Sequence, residues 1–323
     1  MVENTQGPSA GNAEPGRSGP SRMIVAVMFA VLAAGSNAVG TVLQRSAALR
    51  VPSSPARFGL IRQLLRSPVW LGGILGVVFA ALFQALALNA GTLAAVQPVF
   101  VLELPLALLV GSAVFRVRVS RKAWFCVVCI FVGLAITLFS VFPSGGRTQV
   151  PGIWWVPTLA GVGGAGTVLV LAGLRRPPGL ARAACLATAA AIGNALTAAL
   201  VKSAMGILTR DGVAGFLLAW QTYGFAAVGS LSILLLGYAM QGGPLIASQP
   251  ALTLGDATVS FCLGVTLFAE SPRLGLWLLP TSFGVALLCY GVFALSRTRC
   301  LAKCVDPDEK APRQEEQPAT ARM

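Results

Sequence analysis

The sequence predicts an all-α, polytopic membrane protein whose nine transmembrane helices form an inverted repeat. The first observation is composition, since 55% of the 323 residues are hydrophobic and 11% are charged, against roughly 25% charged residues in soluble domains. The second is a series of nine apolar runs, each near the roughly 20 residues that a helix needs to cross a bilayer. The third is a pair of internal sequence matches that indicate a duplication.

Short polar segments separate the nine predicted spans. All six Trp fall in the first few residues of a run, where an interfacial aromatic belt places them. Residues 1–22, rich in Gly, Ser and Pro, are predicted to form a disordered tail, and residues 296–323 a disordered cytoplasmic tail. The spans are 23–43, 69–88, 93–114, 123–141, 153–174, 183–201, 216–236, 246–268 and 274–295.

The basic residues predict the orientation of these spans. The segments before span 1 and after spans 2, 4, 6 and 8 contain 6 Lys and Arg, and the others contain 18. The positive-inside rule then puts the N-terminus outside and the C-terminus in the cytoplasm of a multi-pass plasma-membrane protein. The basic residues are not interleaved with aromatics on one face, so no nucleic-acid partner is expected. A cleaved signal peptide ending near "AAGSNA" is the alternative interpretation of the first run.

Two matches without gaps relate the halves of the chain and favour a first run that is retained. Residues 33–47 ("AAGSNAVGTVLQRSA") align on residues 190–204 ("AAIGNALTAALVKSA"), and residues 89–98 ("NAGTLAAVQP") align on residues 241–250 ("QGGPLIASQP"). Spans 1–4 (23–141) thus correspond to spans 6–9 (183–295), with span 5 (153–174) as a link. An odd number of crossings separates each pair, so the halves are inverted, as in many secondary transporters.

The repeat selects six candidate site residues. Asn37 matches Asn194, and Gln97 matches Gln249. Glu103 and Asp256 follow the two glutamines at nearly equal distances and are the two acids inside the predicted spans. The sequence offers them no mid-span cationic partner, so we expect them to bind a solute or protons near midplane, or to be neutral structural residues. Each glutamine precedes a proline and is interpreted either as a helix cap or as a gate.

The order of these elements resembles the drug/metabolite transporter superfamily, whose EamA-like members are inverted repeats of short helices. The resemblance covers about residues 23–295. The nearer likeness is to the nine-span branch that includes the NIPA-type magnesium transporters, and it implies export or exchange of small metabolites, or movement of Mg²⁺. Its residues are "GSNAVGTVLQRSA" in span 1, "LNAGTLAAVQP" at the entry to span 3, and "RVRVSRKAWFCVVCIFVGLAI" at the entry to span 4.

Three further signals have structural interpretations. Cys126 and Cys129 form a CxxC inside an apolar run and are predicted to be packing residues rather than a redox or zinc site. The GxGxxG of residues 161–166 lies in span 5, where small residues are expected to let helices approach closely, as are Gly72 and Gly76. Residues 56–67 fit either a basic helix on the cytoplasmic leaflet or an ordinary charged loop.

These patterns predict a secondary transporter of a small polar or cationic solute, or of a divalent cation bound by Glu103 and Asp256. No cofactor and no enzymatic activity are expected, and the absence of His excludes His-containing catalytic triads. The alternative is a non-transporting membrane scaffold whose basic cytoplasmic loops bind lipid or a partner. A carrier should expose the two acids to a cavity, whereas a scaffold should pack them dry.

The charge bias gives a direct test of topology. In intact cells, cysteines introduced between residues 142 and 152 should react with an impermeant thiol reagent, because that segment is predicted to be extracellular. Cysteines introduced between residues 44 and 68 should be shielded. The reverse labelling pattern would overturn the orientation.

Overall fold

The computed structural model describes residues 20–48, 67–116, 118–141, 146–147, 149–242, 245–273 and 275–298, and over these residues the chain is helical with no strand. Short 3₁₀ turns at Phe100–Leu102 and Gly275–Trp277 join α3 to α4 and precede α10. The helices are α1 (Pro20–Ala48), α2 (Pro68–Ala90), α3 (Leu93–Val99), α4 (Glu103–Phe115), α5 (Arg121–Val141), α6 (Gly152–Leu174), α7 (Leu180–Leu218), α8 (Trp220–Gly242), α9 (Leu245–Thr266) and α10 (Leu278–Ser296).

These helices make the chain a multi-pass membrane protein. Within the described residues, 8 helices are long and apolar enough to cross a bilayer, with α3 and α4 counted as one. The exception is α9, which has a similar length of 22 residues but carries Gln249, Pro250 and Asp256. A helix satisfies its own backbone hydrogen bonds, which hydrocarbon cannot do, so the apolar runs form helices.

Two predicted boundaries are wrong. Span 6 is predicted to end at residue 201, but α7 continues to Leu218 across a kink at Gly212 (φ 70°, ψ −169°). The prediction treated Lys202 as the start of a polar loop, whereas its charge is paired inside the protein. The disordered tail predicted over residues 1–22 is also too long, because α1 begins at Pro20. Residues 1–19 and 299–323, and residues 56–66 of the predicted basic segment, lie outside the described residues.

Neighbouring helices run antiparallel and pack through glycine. At the crossing of α1 and α2, a Cβ on Gly76 would lie 3.0 Å from the Cα of Gly40. At the crossing of α5 and α10, a Cβ on Gly133 would lie 2.8 Å from the carbonyl oxygen of Gly284. Such close backbone approach is typical of membrane helices, where dispersion contacts replace the hydrophobic effect. The prediction of close packing is therefore confirmed for Gly76 but not for Gly72, where an added Cβ would lie 3.9 Å from Cδ1 of Leu43.

The same prediction is wrong for two of the three glycines of span 5, while an added Cβ on Gly166 would lie 3.8 Å from Cγ2 of Ile192 on α7. Added Cβ atoms on Gly161 and Gly163 of α6 would meet nothing within 4 Å. This helix packs on α7 along one face and leaves large apolar side chains such as Ile153 and Val168 exposed. The small residues of its other face lie on the surface of the chain, so they bring no neighbouring helix of this chain close.

A matched pair of glycine substitutions tests this packing. Gly133→Ala should destabilise the protein by about 1–3 kcal/mol, because overpacking forces α5 and α10 apart. Gly161→Ala adds the same methyl group in open space and should be neutral or stabilising by up to about 1 kcal/mol, since alanine favours the helix. Thermal unfolding of the purified variants measures both effects. Equal midpoints for the two variants would contradict the packing described for Gly133.

Candidate functional site

Three of the predicted site residues meet near the middle of the membrane. The carboxyl group of Glu103 on α4 has a side-chain hydrogen-bonding partner in Asn37 on α1. Asp256 on α9 lies close enough to Glu103 for their charges to interact, and its Oδ1 accepts a hydrogen bond from Ser260 Oγ at 3.3 Å. We call Asn37, Glu103, Asp256 and Ser260 the central cluster.

The helix geometry places both acids at similar depth. Glu103 follows Leu93, the first residue of its transmembrane segment, by about 15 Å at 1.5 Å per residue, and Asp256 follows Leu245 by about 17 Å. The two segments begin at opposite ends of the bundle, because Gly264 near the end of α9 contacts Ala94 at the start of α3. Both acids therefore lie near the middle of a core that is roughly 30 Å thick.

The two acids differ in burial from their neighbours. Glu103 and Asp256 are both partly exposed as residues, whereas Leu102 and Leu104 on either side of Glu103 are buried, at 4% and 7% exposed. The carboxyl groups themselves lie deep inside the bundle.

Asn194 lies at the level of this cluster. An added Cβ on Gly255 would lie 3.0 Å from Cβ of Ala191, so α7 and α9 touch immediately beside Asp256. Asn194 follows Ala191 by one helical turn and is partly buried. The pair Asn194 and Asp256 thus occupies neighbouring helices, as Asn37 and Glu103 do.

The interpretation of the two glutamines as helix caps is wrong. The helices begin at Leu93 and Leu245, so Gln97 and Gln249 lie one turn inside α3 and α9, each before a proline within the helix. At α3 the free N–H groups of the first turn are taken instead by a distant carboxylate. Gln97 is 2% exposed, and its Nε2 has no hydrogen-bond partner among the described residues. Gln249 is partly buried.

That carboxylate belongs to Glu270, which the sequence analysis did not select. Its Oε1 accepts a hydrogen bond from the N–H of Leu93 at 2.7 Å, and its Oε2 accepts one from the N–H of Ala94 at 2.8 Å. Lys202 on α7 donates to Oε1 through Nζ. The side chains are 8% and 0% exposed for Lys202 and Glu270. We call these four residues the Lys202–Glu270 clamp.

The surroundings of the clamp are built to hold this carboxylate. The lysine Nζ also lies 4.7 Å from the centre of the Phe268 ring, a cation–π arrangement that further stabilises its charge. Gly264 leaves room for the carboxylate, because a Cβ there would press on Oε2 and lie 3.1 Å from the nitrogen of Ala94. Gly146 covers the other side with a φ of 103°, and an added Cβ there would lie 2.9 Å from Cγ of Glu270.

The sequence contains a signal for the clamp that lies beyond the two internal matches described above, which end at residues 98 and 250. At a constant offset of 153, Glu103 aligns on Asp256, Phe115 on Phe268 and Trp124 on Trp277. At the same offset Arg116 (φ 55°) aligns on Ala269 (φ 52°), and these two are the non-glycine residues with positive φ in the described chain. Glu270 follows directly and aligns on Val117. Glu270 therefore differs from its counterpart Val117, and a comparison of the two repeats could have selected it where the pattern of apolar residues does not.

The remaining sequence signals are structural. Cys126 and Cys129 are buried free cysteines in the crossing of α5 and α10, as predicted. In the part of the chain that the structure describes, no group of three or more Cys, Asp or Glu side chains converges to hold a metal ion. A divalent cation at the central cluster would have to use Asn37 and Ser260 oxygens beside the two carboxylates.

The clamp predicts a strong energetic coupling between its two charges. Lys202→Met and Glu270→Gln should each destabilise the protein by about 3 kcal/mol, because each leaves a buried charge without its partner. The double variant should lose less than the sum of the two, with a coupling of about 1–3 kcal/mol. Thermal unfolding of the four proteins gives the cycle.

The control is the exposed pair Arg210 and Asp211, whose side chains are 69% and 41% exposed. Arg210→Met and Asp211→Asn should leave the unfolding midpoint unchanged, since solvent screens this pair. Strict additivity in the Lys202–Glu270 cycle would contradict the buried pair.

Comparison with known proteins identifies one relative and no described activity. No family model matches the chain, and no solved structure matches it. The chain is 32% identical over 281 residues to the uncharacterized protein Cgl0250/cg0304 of Corynebacterium glutamicum, a match that covers 85% of this chain and 96% of that protein. The protein therefore belongs to the same family of multi-pass membrane proteins as this Corynebacterium glutamicum protein.

Proposed function

We propose that the protein is a secondary transporter that carries a small polar or cationic solute, or a divalent cation, across the membrane by alternating access. The observation that carries the proposal is the central cluster. Polar side chains from α1, α4 and α9 converge near midplane, and its two acids remain partly exposed. Intramembrane acids are costly, so a site that gathers two of them implies a ligand or proton that compensates their charge.

The proposal includes an inverted repeat, with repeat 1 over residues 23–141, a linking span 5 and repeat 2 over residues 183–295. Helix contacts support it, because equivalent pairs of helices pack together in the two repeats. In repeat 1, α1 contacts α2 and α4, and in repeat 2, α7 contacts α8 and α9. The shared left-handed conformation of Arg116 and Ala269 at an offset of 153 also supports it. Transporters of this architecture bind their solute at the repeat interface.

The family assignment within this proposal is the drug/metabolite transporter superfamily, in the nine-span branch that resembles the NIPA-type magnesium transporters. Its support is the residue pattern of spans 1, 3 and 4. The proposed location is the plasma membrane with the N-terminus outside. In that orientation the end of the bundle where α2 ends and α3 begins, which we call the clamp face, is extracellular.

The chemistry of the cluster favours a cation or a hydrogen-bond donor as the solute. Carboxylate, amide and hydroxyl oxygens are the groups that the cluster offers, and these accept hydrogen bonds or bind hard cations. A carboxyl group must lose its proton before it binds a cation, so cation and proton compete for the same atoms. Proton-coupled exchange follows directly from that competition.

A scaffold is the second candidate, because the predicted cytoplasmic segments are strongly basic and suit an anionic lipid surface. Dry packing of the two acids would favour it. The gathering of two acids in one cluster favours the carrier instead.

Solute-dependent thermal stabilisation tests the proposal. The purified protein is screened against inorganic cations, organic amines and small polar metabolites between pH 5.5 and 8.5, because a ligand that binds the folded state raises the unfolding midpoint. A cationic ligand should stabilise more strongly as pH rises, since fewer protons compete for Glu103 and Asp256. Glu103→Gln and Asp256→Asn should remain folded and should abolish this pH dependence.

Asp211→Asn is the matched control, because it removes an exposed carboxylate on the same chain. It should leave ligand stabilisation and its pH dependence unchanged. If both cluster variants retain the pH dependence of the parent protein, the central cluster is not the binding site and the proposal fails.

A further inference from the structure

We propose that the Lys202–Glu270 clamp is the gate that separates the central cluster from the clamp face. The inference rests on the proposed transport function. It assigns to Glu270 and Lys202 a role in positioning helices, not in contacting solute.

The clamp joins the helices that carry the site residues. Glu270 binds the first two N–H groups of α3, the segment that continues through Gln97 to Glu103. Lys202 lies on α7, which carries Asn194, and Glu270 itself follows α9, which carries Asp256. One buried carboxylate thus joins the start of α3, the middle of α7 and the chain that follows α9. Any opening of this face that separates α3 from α7 or α9 must break it.

The backbone around Glu270 extends the closure across the face. The N–H of Arg147, between α5 and α6, donates to the carbonyl of Phe268 at 2.7 Å. The N–H of Arg273 donates to the carbonyl of Val141 at the end of α5 at 3.1 Å. The N–H of Glu270 donates to the carbonyl of Gly264 at 3.0 Å. The loops that precede α6 and α10 are therefore tied together over the buried ion pair.

Buried polar groups also lie beside the clamp. The side chains of Thr92, Gln97 and Ser203 are each buried and have a polar atom without a hydrogen-bond partner in the described chain. All three lie within about one helical turn of a clamp residue along the chain. Opening the face would bring water to these groups.

The two repeats differ in the residues that form this ion pair. At the offset of 153 that aligns Glu103 on Asp256, Val117 stands where Glu270 does, whereas Arg45 matches Lys202 at the offset of 157. Repeat 1 therefore has no acid at the sequence position that Glu270 occupies in repeat 2. The ion pair favours the state that is closed at the clamp face.

Cysteine accessibility tests the gate without any solute. Reporters are Gln97→Cys beneath the clamp and Asn37→Cys in the central cluster, each in full-length protein with the seven native cysteines replaced. Arg147→Cys identifies the side from which an impermeant thiol reagent reaches the clamp face. Glu270→Gln should raise the labelling rate of both reporters from that side at least tenfold, or about 1.4 kcal/mol. The Asp211→Asn control should leave both rates unchanged.

Three results would overturn the gate. If the rates stay within twofold in Glu270→Gln, or only the reporter at residue 97 gains reactivity, the ion pair is a local brace on α3. Native Cys126, restored alone, reports unfolding because it is buried between α5 and α10. If Cys126 becomes reactive in Glu270→Gln, that variant has unfolded, and Lys202→Met is used in its place. Lys202→Met should raise the labelling rates of the two reporters in the same way. Unfolding of both variants would also count against a gate, since a gate opens within a folded chain.

These results are separable from those that test transport. Labelling reports the closure of one face whether or not a solute is found. Ligand stabilisation of the Glu103 and Asp256 variants reports the site itself. If labelling increases but no ligand stabilises the protein in a pH-dependent way, the clamp is a movable closure and the central cluster is not a binding site.

Discussion

The low polarity of the bilayer interior is the constraint on which this chain's arrangement depends, because hydrocarbon offers no partner to a charge or a backbone amide. Glu270 meets that constraint completely, with two backbone donors and a lysine on its two oxygens. Glu103 and Asp256 meet it with a neighbouring amide and a hydroxyl group. The oxygens of Glu270 are thus fully paired, as in a closed contact. Glu103 and Asp256 have fewer partners, so their oxygens could accept further hydrogen bonds.

Glycine sets how closely the helices can bring these groups together. Gly133 and Gly284 allow α5 and α10 to touch through their backbones, and Gly264 lets the carboxylate of Glu270 reach the start of α3. Because these contacts involve main-chain atoms, small shifts cannot be absorbed by side-chain rotation. Helices in such tight contact should therefore move as rigid groups.

The clamp and the central cluster share helices, which gives a mechanical link between them. In the proposed transporter, a solute at Glu103 would act on the same segment whose first two amides are held by Glu270. A solute that draws α4 and α9 together would change the geometry at the start of α3 and the end of α9. Coupling of this kind needs no long chain of intermediates, since one helical segment connects the two sites.

The sequence by itself determined the helical, multi-pass character of the chain, because apolar runs of this length have one stable solution in a bilayer. It also selected Asn37, Glu103 and Asp256, since polar residues inside apolar runs stand out and the repeat pairs them. It did not determine the contacts of Glu270, because an acid between two spans is usually solvated. It also did not determine that α7 continues past residue 201, because Lys202 resembles a loop residue until its partner is known. Tertiary structure decided both. A charge 68 residues away along the chain becomes a neighbour only when α9 turns back over α3 and α7, and no local pattern encodes that contact.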